Sequence, residues 1–456
     1  MDRFSLVILA AGEGKRMKSN HSKVCHKLLN EPMIKWVYDA GKGAGISDVV
    51  TVVGHRREEV MQALGNTVKF AMQEEQLGTG HAVLSAEKYI DESSRYVMVL
   101  PGDAPLILSE TLKKCMEYHI KNSNCATIIT SILDNGSSYG RIIRDENGEV
   151  LKIVEAKDAT KEELEVREIN SGFYCFDKDE LFRLLKELKP ENSQGEYYLT
   201  DVIGLMKSGG KKVGAFVLDD PTQILGVNDR VQLYDAQKAL QRRINEYHAL
   251  SGVTIMDFDS TYIGKDVKIG KDTVIYPNTL IFGKTTIGEE CAVGPNTVIE
   301  DCEIGDFVSV KMSNLIQSKI GNNTTVGPFA YLRPGSVIGS RCKVGDFVEI
   351  KNSTLGDGTK ASHLTYIGDA KVGKNVNFGC GTVIVNYDGK KKYTTEICDD
   401  VFIGCNSNLI SPVKINEGAY IAAGSTITDE VPKNNLAIAR ARQVNKANWV
   451  DRRKRD

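Results

Sequence analysis

Tyr262-Ile263-Gly264-Lys265-Asp266-Val267-Lys268-Ile269-Gly270-Lys271-Asp272-Thr273-Val274-Ile275 opens a rhythm that the rest of the chain keeps. Ile263, Ile269, Ile275, Ile281, Ile287, Val293 and Ile299 fall every six residues without a break. The register slips by one to Ile304, then resumes, and from Ile320 it runs through Val326, Leu332, Ile338, Val344 and Ile350. It returns at Ile367, slips again to Val372, continues through Phe378 and Ile384, and reappears as Ile403, Leu409, Ile415, Ile421 and Ile427. One flat face per six residues, with three faces to a coil of about eighteen, makes a parallel β-helix with the aliphatic residue pointing inward. Gly usually follows the aliphatic (Gly264, Gly270, Gly288, Gly294, Gly305, Gly321, Gly327, Gly339), which accounts for much of the excess of 42 Gly over 11 Pro. It is expected there because the backbone needs unusual freedom. Between Val385 and Asp400 the period fails, and Asn386-Tyr387-Asp388-Gly389-Lys390-Lys391-Lys392-Tyr393 should protrude as a loop.

Upstream of the repeat, residues 229–250 are Gly-free and charged, with Leu233, Ala236, Leu240, Ile244 and Tyr247 on one helical stripe and Ser251-Gly252 as the stop. This is a linker helix between a domain of residues 1–228 and a β-helix domain of residues 251–456. Residues 1–228 alternate short apolar runs (6–10, 49–53, 96–100, 126–131, 173–176) with helical patterns (34–43, 57–64), which predicts a mainly parallel sheet covered on both faces.

Composition narrows the function. The balance of 58 Lys+Arg against 60 Asp+Glu gives no global field for nucleic acid. The ten cysteines form no C-x-x-C pair, so neither a zinc site nor a disulfide framework is marked, and scattered thiols fit a reducing compartment. The apolar start, Leu6-Val7-Ile8-Leu9-Ala10-Ala11, is too short to span a membrane and runs into Gly12, Gly14 and Lys15 as a strand entering a loop. A cytoplasmic enzyme without membrane or nucleic-acid partners is expected.

In the first half, Leu9-Ala10-Ala11-Gly12-Glu13-Gly14-Lys15-Arg16-Met17 puts a Gly-rich turn after a strand, where backbone N–H groups can approach phosphate, with Arg16 and Lys23 adding positive charge. An ordinary strand-to-helix turn accounts for Gly12 and Gly14 equally well. Pro101-Gly102-Asp103-Ala104-Pro105 follows the apolar run 96–100, placing Asp103 at the carboxyl end of a central strand, where ligands bind in open α/β sheets. A single carboxylate completed by substrate phosphates suits Mg²⁺; a turn-forming Asp is the alternative.

In the second half, Arg333 and Lys351 each follow an inward aliphatic, where most repeats carry Gly, and are expected to stack one coil apart, roughly 5 Å. Two cations so close repel unless an anion lies between them, so they read as a phosphate-binding pair, with solvated surface charges as the alternative. Tyr366 should lie above Glu349. Beside them His363, the one histidine after residue 250, stands in Ala361-Ser362-His363-Leu364-Thr365-Tyr366, which lacks the usual Ile-Gly. His363 is expected to be a general base, oriented by Glu349.

Together the first-half motifs resemble the sugar-1-phosphate nucleotidyltransferases, with further matching segments at Gln73, Leu77-Gly78-Thr79-Gly80, Tyr139-Gly140-Arg141-Ile142, Glu155, Asn170-Ser171-Gly172 and Val227-Asn228. The resemblance implies that Leu9, Ala10, Ala11, Gly12 and Arg16 line the nucleotide site. Gln73, Gly78 and Thr79 would read uracil, and Gly140, Glu155 and Asn170 would hold the sugar. Asp103 and Asn228 would bind Mg²⁺, and Lys23 would neutralise phosphate. Lys15 stands where that family usually has Thr, and Pro101 where it has Tyr.

The second half resembles the hexapeptide-repeat acyltransferases, which coil left-handedly. Nearly the whole chain is similar to the bacterial family of bifunctional N-acetylglucosamine-1-phosphate uridyltransferases/glucosamine-1-phosphate N-acetyltransferases. That resemblance implies Arg333, Lys351, Tyr366 and Asn377 as sugar-phosphate ligands and His363 as base to the glucosamine amine. Cys380, Asn386, Tyr387, Cys405, Ala423 and Arg440 would lie at acetyl-CoA, with Cys380 and Cys405 replacing the usual Ala and Ser. It further implies a homotrimer with sites between subunits, UTP and acetyl-CoA as co-substrates, and UDP-N-acetylglucosamine as a product that supplies peptidoglycan and lipopolysaccharide synthesis.

Two other readings remain at this point. One is a monofunctional nucleotidyltransferase with a structural β-helix; the other is a non-enzymatic exchange-factor subunit like those of translation initiation. Glu349, His363 and the cation pair weigh against the first, Lys23 and Asp103 against the second.

Overall fold

The six-residue rhythm becomes three stacks of short parallel strands. In the computed structural model, which describes residues 3–134, 136 and 138–453, the stacks hold 11, 10 and 9 strands. Registers such as Ile275↔Val293, Ile281↔Ile299 and Ile287↔Ile304 place aliphatic on aliphatic. All the inward positions named above are buried except Ile269, which is partly covered and packs on the same core. Each fully buried Ile or Val contributes roughly 1.5–3 kcal/mol relative to exposure. Polar corners are closed internally: buried Thr273, Thr324 and Thr359 donate to the carbonyls of Gly288, Gly339 and Gly373 at 2.8–2.9 Å.

The glycines have a different reason from the expected one. Of those named after the aliphatic positions, only Gly294 and Gly327 have positive φ. The left-handed corners are held mainly by other residues, among them Asp272, Phe307, Asn323, Arg341, Phe347 and Asn375. What excludes a side chain is the next coil: a Cβ on Gly270 would lie 2.6 Å from the Gly288 carbonyl carbon, and one on Gly321 would lie 2.6 Å from Ser340 N. Glycine is required by close approach of stacked backbones.

The helix Arg230–Leu250 is continuous, and the chain divides into two compact units within it, Met1–Leu240 and Gln241–Asp456. In the second unit this helix closes the first coil. Gln241 Nε2 donates to the carbonyls of Phe258, Asp259 and Thr261 at 2.7–3.1 Å, and Asn245 Nδ2 donates to those of Phe258 and Thr261. Carbonyls that have no preceding coil to pair with are thereby satisfied.

The first unit is built on a nine-stranded mixed sheet. Its main path runs Val213–Leu218, Ala126–Ile132, Glu168–Asp177, Tyr96–Pro101, Phe4–Ala10, Asp48–Val53, Lys69–Met72. The expected apolar runs are all strands, each longer than the run itself. Glu168–Asp177 is antiparallel to both neighbours, which makes the sheet mixed. Strand side chains alternate between two cores: Val7, Val50, Val97 and Val99 enter one, while Leu6, Ile8, Met98 and Leu100 enter the other. Lys69–Met72, Arg141–Arg144, Val150–Val154 and Val213–Leu218 are strands that the apolar pattern did not mark. No helix of the described residues is long and apolar enough to cross a membrane.

Candidate active sites

At the carboxyl ends of the central strands of the first unit, a cavity of about 330 Å³ is lined by Leu9, Ala10, Ala11, Gly12, Lys23, Gln73, Gln76, Gly78, Thr79, Pro101, Asp103 and Glu196. The Phe4–Ala10 strand pairs with Asp48–Val53 and Tyr96–Pro101, so Gly12 and Asp103 emerge at the same edge. Gln73 is 5% exposed; its Nε2 donates to the Gly78 carbonyl at 3.1 Å and meets His81 Nδ1 at 3.2 Å. Gly78 cannot carry a side chain, having φ +110° and a would-be Cβ 2.7 Å from Tyr197 O. Thr79 Oγ1 accepts from Leu199 N–H at 3.0 Å.

Gly12 differs. Its φ is not positive, and a Cβ there would meet nothing within 4 Å. Among the described residues no neighbour crowds this position, so the backbone of Gly12 lies open to the cavity. Gly14, by contrast, is left-handed at φ +65°.

Lys23 Nζ bonds to Asp103 Oδ2 and lies 3.2 Å from Asn228 Oδ1, which also accepts from Arg16 Nη2 at 2.8 Å. Val227 N–H donates to the Asp103 carbonyl at 2.8 Å and holds the two segments together. Asp103 and Asn228 offer one carboxylate and one amide oxygen, the hard, incomplete donor set that fits Mg²⁺ arriving with phosphates. Among the described residues no group of three His, Cys, Asp or Glu could hold a metal alone. Lys15 is a surface residue paired with Glu13 at 2.8 Å, so its departure from the usual Thr touches neither Asp103 nor Asn228.

Gly140, Glu155 and Asn170 also cluster. Asn170 N–H donates to the Gly140 carbonyl at 2.9 Å, its Oδ1 accepts from Tyr174 Oη at 2.9 Å, and Thr200 Oγ1 lies 3.4 Å from Glu155 Oε1. Burial pushes the Glu155 carboxyl above its ordinary value near 4.5, partly offset by Thr200.

In the second unit, Arg333 and Lys351 do stack one coil apart, since Leu332 pairs with Ile350, and Tyr366 pairs with Glu349. Both cations already have carboxylate partners: Arg333 Nη1 donates to Glu349 Oε1 at 2.8 Å, and Lys351 Nζ lies 3.3 Å from Asp369 Oδ2. Their mutual repulsion is therefore relieved within the chain and does not by itself demand a bound anion. A third cation adds to the positive charge at this face. Lys392, from the insert, contacts Lys351, which pushes its ammonium below its ordinary value, with Arg333 adding to the effect. The insert is a short hairpin bridged Tyr387↔Lys392 and tied by Asp388, which accepts from the N–H groups of Lys390 and Lys391 at 2.8 Å. Asn386 is 6% exposed and bonds to Asp369.

His363 is not oriented by Glu349. Its Nδ1 lies 2.6 Å from Asp346 Oδ1, and Asp346 pairs with His363 in register. Glu349 is engaged by Arg333 on the adjoining face. The hydrogen bond from His363 is the main influence holding the Asp346 carboxyl below its usual range. Asp346 fixes the proton on Nδ1 and leaves Nε2 as the basic atom. Asn377 lies on the His363 sheet between Lys360 and Phe402, not on the sheet of Arg333, Lys351 and Tyr366. Extending these registers through Phe378↔Ile403 and Ile403↔Ile421 puts Asp346, His363, Cys380, Cys405 and Ala423 on one corner column. Arg440 Cδ would lie 3.7 Å from a Cβ on Gly424, the residue after Ala423, and Tyr387 is exposed.

Known proteins match both units. Residues 5–222 match the nucleotidyl transferase family, and residues 317–352 and 394–429 match the bacterial transferase hexapeptide family with its six repeats. A bifunctional protein GlmU of Acetivibrio thermocellus is 56% identical over 450 residues, covering 99% of this chain and 98% of its own length. Those of Caldanaerobacter subterraneus (55%) and Clostridioides difficile (52%) cover at least 98% of both chains. The chain belongs to the GlmU family of bifunctional proteins. Its fold is that of the family: a nucleotidyltransferase unit followed by a left-handed β-helix of hexapeptide repeats. A nucleotidyltransferase alone, on a structural β-helix, does not describe GlmU relatives matched end to end.

Within this GlmU-family chain, four residues at the sites lacked a motif: Asp346, Asp369, Lys392 and Gln76, whose Nε2 donates to the Ala11 carbonyl at 2.8 Å. Asp346 had a usable signal. It precedes His363 by seventeen residues, the same interval that sets Glu349 beneath Tyr366.

Proposed function

We propose that the second unit transfers acetyl from acetyl-CoA to glucosamine-1-phosphate, and that the first joins the resulting N-acetylglucosamine-1-phosphate to UTP, making UDP-N-acetylglucosamine. The observation that carries this is the corner column: a base with its carboxylate partner stands below the coenzyme-side residues and beside a face bearing Arg333, Lys351 and Lys392. Incubation with glucosamine-1-phosphate, acetyl-CoA, UTP and Mg²⁺ tests it. UDP-N-acetylglucosamine should form only when all are present, and free coenzyme A should appear without UTP.

In acetyl transfer, Arg333, Lys351 and Lys392 hold the sugar phosphate, with Tyr366 beside it, while Asn377 lies on the His363 sheet and not with these cations. His363 Nε2 takes a proton as the amine attacks the thioester carbonyl; the carbon–sulfur bond breaks and coenzyme A leaves as the thiol once protonated. Asn386, Tyr387, Cys380, Cys405, Ala423 and Arg440 position acetyl-CoA. In uridyl transfer, a phosphate oxygen of the sugar attacks the α-phosphorus of UTP and pyrophosphate leaves. Gln73, Gly78 and Thr79 hold uracil, the turn of Leu9 to Gly12 with Arg16 meets the phosphates, and Gly140, Glu155 and Asn170 hold the sugar. Lys23 turns from Asp103 to phosphate. Mg²⁺ bound by Asp103 and Asn228 supplies charge neutralisation of the polyphosphate.

A homotrimer accounts for an otherwise exposed apolar ridge. Phe329 and Phe347 stack with ring centroids 5.3 Å apart, and with Leu364 are 52–57% exposed along the same corner as Asp346 and His363. Such a ridge beside a site marks a surface to be covered. The work is cytoplasmic, where UTP and acetyl-CoA are made.

Two consequences test the first unit. Gly12→Ala is expected to leave the melting temperature unchanged and to raise KM for UTP by about 5- to 150-fold, the equivalent of roughly 1–3 kcal/mol of overpacking against the ligand. Glu155→Gln should lower uridyl transfer yet stabilise the unit. Because burial raises the folded pKa of Glu155, its contribution to stability is fully present below about pH 4.5 and is lost as pH rises through the folded value. The Tm advantage of Glu155→Gln, about 2–4 °C per kcal/mol released, should therefore be larger at pH 8 than at pH 4.5 by calorimetry. An advantage that does not grow with pH would count against the buried carboxylate.

A further inference from the structure

Cys380 and Cys405 are successive members of the column that begins with Asp346 and His363. Phe378 pairs with Ile403, and each cysteine lies two residues beyond, in the turn that follows its strand. Asn406 N–H donates to the Cys380 carbonyl at 2.8 Å, so the two turns are in direct contact. Nothing separates them, since even a Cβ on neighbouring Gly379 would come within 2.5 Å of Cys405 N. The spacing of about 4.8 Å between the paired strands, carried into the two stacked turns that follow them, falls inside the range of about 4.4–6.8 Å between Cα atoms that a disulfide spans. Cys405 is exposed and Cys380 half-buried.

Cys398 is half-buried like Cys380, but its register stacks it between Gly373 and Asn416, with no second thiol beside it; the other seven are less available. Cys291 and Cys342 are buried inside the β-helix with their Sγ atoms near the Gly305 and Gly356 carbonyls at 3.1–3.2 Å. Burial pushes Cys302, Cys25 and Cys125 up to about 11. Cys115 and Cys175 are fully buried.

We infer that Cys380 and Cys405 are an oxidisable dithiol, closed by peroxide into a disulfide that switches off acetyl transfer and leaves uridyl transfer running. The switch rests on the acetyl-CoA site proposed above; the dithiol itself rests only on the register. One thiolate attacks peroxide, breaking the O–O bond and giving a sulfenic acid and water. The second thiolate displaces hydroxide from that sulfur, so two thiols and one peroxide yield one disulfide and two waters. The bridge needs Cβ atoms about 3.5–4.5 Å apart, closer than coil spacing, so it draws together the two turns directly above His363.

The test treats the full chain with hydrogen peroxide, caps free thiols and maps peptides, while N-acetylglucosamine-1-phosphate and UDP-N-acetylglucosamine are followed separately by mass spectrometry. A peptide linked Cys380–Cys405 is expected. Acetyl transfer should fall by roughly 100-fold, as for a site displaced by about an ångström, and a dithiol reductant should restore it, with uridyl transfer unchanged. In Cys405→Ser, measured against its own reduced rate, the reversible loss should vanish. Oxidation products on separate cysteines without the link would overturn the dithiol. A linked chain that still acetylates would overturn the switch. If the reduced chain never acetylates, the coenzyme site itself is wrong, and the linked peptide still decides the chemistry of the pair.

Discussion

His363→Ala is expected to reduce acetyl transfer by about 10²- to 10⁴-fold, the range for removing a positioned general base, and to leave uridyl transfer at its parent rate. Free coenzyme A formed from acetyl-CoA and glucosamine-1-phosphate reports the first activity. UDP-N-acetylglucosamine formed from N-acetylglucosamine-1-phosphate and UTP reports the second. His363 is exposed at its corner and bears no part of the aliphatic core, so the loss should not reflect unfolding. Equal loss of both activities would mean general destabilisation; no loss would remove His363 from the chemistry.

The two carboxylates near this base should separate kinetically. Asp346 meets the imidazole and Glu349 meets Arg333. Asp346→Asn should lower kcat, since an amide can set the wrong tautomer. Glu349→Gln should act mainly on KM for glucosamine-1-phosphate by releasing Arg333 from its partner. The reverse split would restore Glu349 as the orienting group.

That exchange of roles shows where sequence suffices and where it stops. A period of six is a property of the chain alone, and it located most inward positions and the insert, but it passed over Val310, Leu315, Leu355, Ala361 and Ile397, where further one-residue slips shorten the coils to sixteen or seventeen residues. Stacking follows from it, so Arg333 over Lys351 and Glu349 under Tyr366 were legible. Which carboxylate meets His363 depends on the direction in which a corner side chain leaves the coil, and Asp346 precedes the left-handed Phe347 at that corner. Lys392 was hidden for another reason. It reaches Lys351 only because the insert folds back on Asp388, and an aperiodic stretch carries no rule for where its side chains end. The glycines show a third limit, since their frequency was legible while its cause, backbone stacked on backbone, exists only between coils. In the first unit, Gly12 and Asp103 were visible as strand-end residues. The edge strand Val213–Leu218 contains Gly214 and Ala215 and has three half-buried residues, so it lacked the apolar run that marked the central strands.

Asp103→Asn is expected to lower uridyl transfer by about 10²- to 10³-fold, comparable with removing one preorganised electrostatic contact at a reacting centre, with acetyl transfer retained. Asp103 has two jobs that must be told apart. It forms an ion pair with Lys23 whose side chains are only 17% and 19% exposed, and through Lys23 it stands beside Asn228. Breaking a largely buried pair from one side leaves the other charge uncompensated and destabilises the fold. Lys23→Met removes the ammonium and keeps the carboxylate, so the stability change of the pair should appear in both variants by calorimetry. The dependence of rate on Mg²⁺ concentration should separate them: Asp103→Asn should need far more Mg²⁺ at saturating UTP, whereas Lys23→Met should keep the parent Mg²⁺ midpoint and lose rate through its phosphate contact. Identical Mg²⁺ midpoints in both variants would reduce Asp103 to the partner of Lys23. In that case Asn228, which already accepts hydrogen bonds from both Arg16 and Lys23, could not hold the metal alone, and the polyphosphate would have to be neutralised by those two cations.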